Sequence, residues 1–371
     1  MGTQTSTSGL GVGALAHVES FASWLKRARG EVALELRGFV AEQCRVYVDD
    51  VRDAEVLGPA LTGYVERGKL FRSAFMLAGW LAVAEQTSAA VRAAASFELL
   101  HCFALLQDDV MDGSALRRGS AAAHITFAEW HRDLGLGGSA DRFGESAAIL
   151  ASDLCLVWSE QMLRESGVSR SALGKALTRY DRLRSELAVG QFRDLVNQSR
   201  RRPLLTDVRE VARAKSGDYT VRGPVQLGVE LAGGSTALVA SLGRYGSAVG
   251  EAFQFRDDLL GLYGSSELTG KPVGEDLRAR KATCVMVLAR EDATLAQRHE
   301  LARLEHTDEL STADVACYLA IVEETGARAR AEHLISERLA DGLAELSSAA
   351  MPTDARDRLA ELARLCAYRV H

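Results

Sequence analysis

Asp108, Asp109 and Asp112 sit in an apolar run from 103 to 112, and Arg117, Arg118 and Gly119 follow closely. Asp is a poor helix former and a buried carboxylate is costly unless paired or metal-bound, so the fold alone does not ask for three of them here. On a helix turning about 100° per residue, Asp108 and Asp112 stand one turn apart on one face, with His101 on that face two turns below Asp108. Like charges at that spacing repel. A hard divalent cation that prefers oxygen ligands and keeps several waters, which describes Mg²⁺, turns the repulsion into a site that can bridge to phosphate oxygens. The competing reading of this stretch by itself is a solvated acidic face at a helix end.

A second cluster changes the balance. Gln254, Asp257, Asp258 and Gly261 follow the i, i+3, i+4, i+7 pattern and share one helix face in another apolar segment. Two such faces can look at each other across a cavity. Cations recur at matching places: Lys69 and Arg72 stand three apart at the head of an apolar stretch that includes Phe75, Met76 and Leu77. There they oppose the helix dipole, a conflict that a bound anion resolves and an exposed basic turn leaves standing. The adjacent Arg117 and Arg118 suit two phosphate groups, one on each side. Around Lys215 and Ser216, Gly217 is expected to break a helix, freeing a carbonyl and a side-chain oxygen as weak dipoles that can face a carbocation without trapping it. Lys271, in the Gly- and Ser-containing stretch 264–276 that ends on Asp276, reads as part of a lid that closes a cation onto a diphosphate and excludes water.

The elements that must position these residues are helical. The chain has 371 residues, 47% of them hydrophobic, and five prolines, which leaves ample core material and little to interrupt long helices. Alternating Val/Ile/Thr runs are few, and no Pro-, Ser- or charge-rich linker divides the chain. We therefore expect an all-α single domain over 16–371 behind a flexible leader at 1–15, with helices over 18–51, 143–163 and 329–346 and a loop at 134–140. A net charge of −6 without a basic stripe argues against nucleic acid as a partner. The six cysteines stand singly, without metal-ligand spacing or a disulfide framework, which points to a reducing cytoplasm. The leader has no signal-peptide pattern, and no run approaches the roughly 18 consecutive apolar residues of a membrane span.

Taken together, the two aspartate clusters resemble the paired aspartate-rich motifs of the trans-isoprenyl diphosphate synthases, or polyprenyl synthetases, and the chain is similar to bacterial geranylgeranyl diphosphate synthases. The resemblance implies the isoprenoid-synthase fold: one bundle of about a dozen helices around a deep apolar cavity, working as a homodimer. It implies that Asp108, Asp109, Asp112, Asp257 and Asp258 hold a cluster of three Mg²⁺ ions, with Mn²⁺ as an alternative, on an allylic diphosphate. Lys69 and Arg72 match the Gly-Gly-Lys-x-x-Arg segment that grips isopentenyl diphosphate, with Arg67, Leu70 and Ser73 as departures. His101 matches a His that reaches the same group.

On the same resemblance Arg117 serves the allylic diphosphate and Arg118 the homoallylic one. Lys215 and Lys271 bind the departing diphosphate, and Ser216 and Gln254 face the cation. Gln191 and Asp194 line the cavity, and Asp153, with Ser152 in place of a Gly, is structural. Gly261 stands where the last Asp of the second motif is usual, and the downstream Gly-Lys-Arg-Thr is altered to Arg280, Lys281, Ala282 and Thr283. Phe103 and Ala104 fall where the family sets product length. The expected reaction condenses isopentenyl diphosphate with an allylic diphosphate to give geranylgeranyl diphosphate, with farnesyl diphosphate as the alternative product. A class I terpene cyclase of the same fold needs no second diphosphate pocket, so Lys69, Arg72, His101 and Arg118 argue against it. A non-catalytic regulatory subunit has no use for intact aspartates.

Overall fold

Alanine and leucine crowd the stretch 88–111, and the helix they form turns nearly its whole circumference inward. This helix, α4 (Ser88–Met111), starts at the Thr87 side chain, which accepts the Ala90 amide at 3.2 Å, and buries Ala93, Ala94, Ala95, Leu99 and Leu100 completely. It is one helix of a computed structural model that describes residues 19–66, 68–200, 203–264, 274–307 and 309–369. The expected leader and Lys271 lie outside the described residues. By length and composition α4 could cross a membrane, but 67% of its most apolar window is buried in the bundle, and its C-terminal end carries the first aspartate cluster.

The other elements follow in order: α1 (Phe21–Tyr47), α2 (Leu57–Glu66) and α3 (Phe71–Leu81) precede α4, and a hairpin of Leu116–Arg117 with Ser120–Ala121 leads to α5 (Ala123–Asp133), α6 (Ala140–Arg164) and α7 (Arg170–Ser199). Next come α8 (Leu205–Ala212), a π-helical segment (Arg213–Arg222), α9 (Gly223–Leu231) and α10 (Thr236–Tyr263). The chain ends in α11 (Glu275–Arg278), α12 (Cys284–Asp292), α13 (Leu295–Glu305), α14 (Thr312–Glu324), α15 (Ala327–Ser348) and α16 (Thr353–Tyr368). The all-α class holds, and α1, α6 and α15 fall where periodicity put them. The described residues form sixteen α-helices where about a dozen were expected, because short elements such as α11 and α12 are set by turns and caps that hydrophobic periodicity does not register.

Packing builds two walls around one space. α4 lies on α6, α3 on α9, and α10 on α15 and on the π segment. The expected helix break at Gly217 is not a break: the helix runs on through 213–222 with widened turns. Gly217 is there for proximity instead, since a Cβ on it would come within 3.0 Å of the Gly250 carbonyl carbon, so α10 and the π segment meet backbone to backbone. π-Helical turns inside longer helices recur at functional sites, and this one carries Lys215 and Ser216.

Candidate active site

The two-residue tip of the hairpin orients the arginine pair. Arg118 and Gly119 both have positive φ, 52° and 78°, as a tight two-residue hairpin turn requires. For Arg118 that backbone costs about 1–3 kcal/mol, the kind of strain that collects at functional sites. Its guanidinium donates to the Tyr64 carbonyl at 3.2 Å, while Arg117 turns the other way and donates through Nε to Asp109 Oδ1 at 2.7 Å. The two neighbours thus face different groups.

Between the walls lies a cavity of about 960 Å³, lined by polar groups at one end and by Phe103, Ala104, Leu187, Val208 and Val211 elsewhere. Of the residues singled out in the sequence, Lys69, Arg72, His101, Phe103, Ala104, Asp108, Arg117, Arg118, Lys215, Ser216, Gln254, Asp257 and Asp258 all line it. Phe103 reaches it although the helical wheel sets that residue about 140° from Asp108, because the cavity wraps around this part of α4. The Ser152 hydroxyl donates to the Phe103 carbonyl at 3.3 Å and ties α6 to that turn, a structural use of the departure from Gly.

The first cluster divides by role. Asp108 faces the cavity, where Lys215 Nζ donates to its Oδ1 at 2.9 Å and Gln191 Nε2 approaches the same oxygen at 3.4 Å. Burial alone raises its pKa, but Lys215, Lys281 and Arg117 outweigh it and hold the carboxyl well below the usual carboxylate range. Asp109 is 1% exposed, set back from the cavity wall, and its oxygens take the Tyr64 hydroxyl at 2.7 Å and the Arg117 guanidinium. The Asp112 side chain, 2% exposed, has Lys281 Nζ 2.8 Å from Oδ2, and its Oδ1 has no hydrogen-bond partner among the described residues.

The second cluster divides likewise. Asp257 is half-exposed and receives Arg369 at 2.7 Å. Asp258 is buried and accepts Gln254 Nε2 at 2.7 Å and the Cys284 backbone amide at 2.9 Å, so it fastens α10 to the start of α12. Burial pushes its pKa up to about 7 against those two bonds, with Asp276 and Asp257 adding to the rise. Gln254 Oε1 is buried and has no hydrogen-bond partner among the described residues, a dipole in the cavity lining available to a cationic substrate.

Cations gather beside these acids. Lys69, Arg72, His101 and Arg118 converge on one corner, with the Arg72 guanidinium 4.2 Å above the Tyr219 ring and donating to Thr220 Oγ1 at 2.9 Å. They burden each other: burial, then Arg369 and Arg118, lower the Lys69 pKa, and burial, then Arg72, Arg118 and Arg117, hold the His101 imidazole well below its usual value. Such crowding is what a dianionic or trianionic ligand relieves. The buried Glu98 accepts the Ser73 amide at 3.0 Å and anchors the start of α3 beneath the cations.

Tyr64 and Arg369 carry no signal in the sequence, and for Asp194 and Lys281 the sequence does not indicate the partners. Asp194 holds Lys215 Nζ at 2.6 Å, Tyr64 holds Asp109, Lys281 stands against Asp112, and Arg369 lies against Asp257 with its guanidinium 3.9 Å above the Phe253 ring. Lys281 had a signal, the altered basic motif at 280–283. There Arg280 takes φ 54° at the place of a usual Gly and donates to the Thr307 carbonyl at 3.0 Å.

A sequence profile for polyprenyl synthetases matches residues 54–322. The chain belongs to the polyprenyl synthetase family. As a polyprenyl synthetase it is a trans-prenyltransferase of isoprenoid biosynthesis, from a family that works with Mg²⁺. It is 31% identical over 288 residues to a geranylgeranyl diphosphate synthase of Mycobacterium tuberculosis, covering 77% of each chain. A (2E,6E)-farnesyl diphosphate synthase of the same organism is 32% identical over 216 residues, 58% of this chain and 55% of that one. Among solved structures, a Corynebacterium glutamicum geranylgeranyl pyrophosphate synthase complexed with isoprenyl diphosphate and magnesium superposes with a TM-score of 0.89 at 33% identity, covering 93% of this chain and 99% of that one. The polyprenyl synthetase fold expected from the two aspartate clusters is thus the observed one.

Proposed function

We propose that this polyprenyl synthetase condenses isopentenyl diphosphate with an allylic diphosphate and releases geranylgeranyl diphosphate as its main product. The observation that carries the reading is the pairing, in one cavity, of an acidic mouth around Asp108 and Asp257 with a separate cation corner of Lys69, Arg72, His101 and Arg118. One diphosphate held through divalent ions and a second held by cations alone is what a condensation of two diphosphates needs and a cyclase does not.

The donor set suits Mg²⁺, since all candidate ligands are carboxylate oxygens and Asp112 keeps an orphaned buried oxygen. Asp108, Asp112 and Asp257 would hold the ions, three in the full complement, with Mn²⁺ a substitute, while Asp109 braces α4 from behind the cavity wall and Asp258, at the wall, ties α10 to α12. When bound, the ions draw negative charge onto the diphosphate leaving group. Lys215, Lys281 and Arg117 add fixed positive charge to that end, so the allylic C–O bond breaks heterolytically and both its electrons leave with diphosphate. Gln254 Oε1 and the Ser216 oxygen face the resulting allylic cation as weak dipoles. The isopentenyl double bond, aligned by the cation corner, supplies the electron pair of the new C–C bond. The proton lost next passes to the released diphosphate, which balances the step.

Phe103 and Ala104 support the product assignment. Ala104 leaves the route along α4 open and Phe103 closes it further down, which fits a twenty-carbon chain. The similarity to a farnesyl diphosphate synthase keeps the fifteen-carbon product as the second reading. A homodimer in the cytoplasm completes the proposal. Incubation with isopentenyl diphosphate, Mg²⁺ and dimethylallyl, geranyl or farnesyl diphosphate, followed by chromatography of the dephosphorylated products, tests it: geranylgeraniol is expected from all three starters. Farnesol alone overturns the chain length, and cyclic hydrocarbon alone overturns the condensation.

A further inference from the structure

Gly261 leaves the second aspartate cluster one carboxylate short. It lies one turn beyond Asp257, on the face that lines the cavity. Nothing on α10 replaces the missing acid. The space a side chain would fill there is nevertheless taken: a Cβ built on Gly261 would lie 1.8 Å from Asp276 Oδ2, 2.5 Å from its Cγ and 3.2 Å from Oδ1. The Asp276 carboxylate, from a different element, thus rests directly on the Gly261 backbone and lines the same cavity.

The backbone that delivers Asp276 is well tied. Gly274, at φ 73°, opens a turn whose carbonyl accepts the amides of Leu277 and Arg278, each at 3.1 Å, and the Asp276 carbonyl accepts the Lys281 amide at 2.9 Å. Leu277 beside it is 3% exposed and anchors the turn in the core. A second, independent feature marks the spot as one that attracts cations. The Lys281 ammonium, 2.8 Å from Asp112 Oδ2, feels Asp108 and Asp112 of the first cluster together with Asp276, so the two acidic walls already share one positive charge. Asp112 Oδ1 is buried and has no hydrogen-bond partner among the described residues.

We infer that Asp276 supplies, from outside the helix, the third carboxylate of the second aspartate cluster, in the space that the absence of a side chain at Gly261 leaves free, and that it helps hold divalent cation on the allylic diphosphate. The inference rests on the reading of the cavity as a diphosphate site. It gives Gly261 a reason: any side chain there collides with the carboxylate that does the work of an acid at that place.

The test is titration calorimetry of inorganic diphosphate with Mg²⁺, and separately of isopentenyl diphosphate without metal, into wild type, Asp276→Asn, and the relocated variant Gly261→Asp/Asp276→Gly. Asp276→Asn is nearly isosteric and leaves Gly261 in place, so it keeps the fold. It is expected to weaken Mg²⁺-dependent diphosphate binding about 10- to 100-fold and to raise the Mg²⁺ needed for half-maximal turnover, with metal-free isopentenyl diphosphate binding unchanged. The relocated variant is expected to recover most of the loss, which a role confined to holding the loop would not allow. Wild-type metal dependence in Asp276→Asn, or a folded relocated variant no better than Asp276→Asn, overturns the inference. If the relocated variant does not fold, Asp276→Asn alone decides. A wild-type protein that binds no Mg²⁺ and diphosphate overturns the underlying reading instead.

Discussion

The Tyr64 hydroxyl donates to Asp109 Oδ2 at 2.7 Å and accepts the Ala123 amide at 3.1 Å, joining residues 45 and 59 positions away in sequence. Asp109 in turn holds Arg117, so one phenol fixes the end of α4, the start of α5 and the orientation of an active-site guanidinium. Tyr64→Phe removes the donor and leaves a buried carboxylate oxygen and a buried amide short of a partner. We predict a stability loss of about 1–3 kcal/mol in denaturant titration and a fall in kcat with little change in the KM for isopentenyl diphosphate. An unchanged midpoint would show that Arg117 alone suffices to hold Asp109.

The arginine pair should separate the two substrates. Arg118 belongs to the corner with Lys69, Arg72 and His101, whereas Arg117 lies on Asp108 and Asp109. Arg118→Ala is therefore expected to raise the KM for isopentenyl diphosphate far more than that for the allylic substrate. Arg117→Ala should do the reverse and also lower stability, because Asp109 loses a buried partner. Steady-state kinetics with each substrate varied in turn checks this; equal effects from both variants would mean that the arginines mainly hold the hairpin.

Much of this site was legible in the residues. Asp108, Asp257, Lys69, Arg72 and Lys215 are ionisable side chains in apolar helical runs, a local conflict that spacing exposes. Tyr64 and Arg369 carry no such mark, since a Tyr near a helix end or an Arg late in the sequence is ordinary until the fold brings its partner close, and Asp194 and Asp276, though placed near the cavity by resemblance and by the lid stretch, give no sign of what they meet. Arg369 meets Asp257 across 112 positions. The partners of the second Asp of each pair also lie beyond periodicity: Asp109 and Asp258 are each turned about 100° round the helix from the Asp before them, and only the packing decides that one meets Tyr64 and the other the Cys284 amide.

His101 gives a pH test. Its imidazole is held neutral by burial and by Arg72, Arg118 and Arg117. The folded pKa lies below the unfolded value, so as pH falls below about 6.5 the unfolded chain takes up a proton that the folded one refuses, and stability declines until the folded pKa is passed. His101→Gln should flatten that part of the Tm profile between about pH 5 and 7 relative to wild type. Parallel profiles would place the acid sensitivity elsewhere.

Product length should follow bulk along α4. Phe103→Ala is expected to lengthen the products and Ala104→Phe to shorten them toward fifteen carbons, read by chromatography of the prenyl alcohols. An active Phe103→Ala with an unchanged product distribution would move the cavity floor to another residue.

In the proposed reaction the two aspartate walls act together on an allylic diphosphate. The most direct measurement is the kcat of Asp257→Ala with isopentenyl and farnesyl diphosphates at saturating Mg²⁺. Asp257 is half-exposed, and its buried partner Arg369 keeps the Phe253 carbonyl and ring when the carboxylate is removed, so the variant should fold. A kcat at least about a hundredfold below wild type is expected, since the lost carboxylate acts on charge that develops in the transition state. Turnover close to wild type would contradict that role.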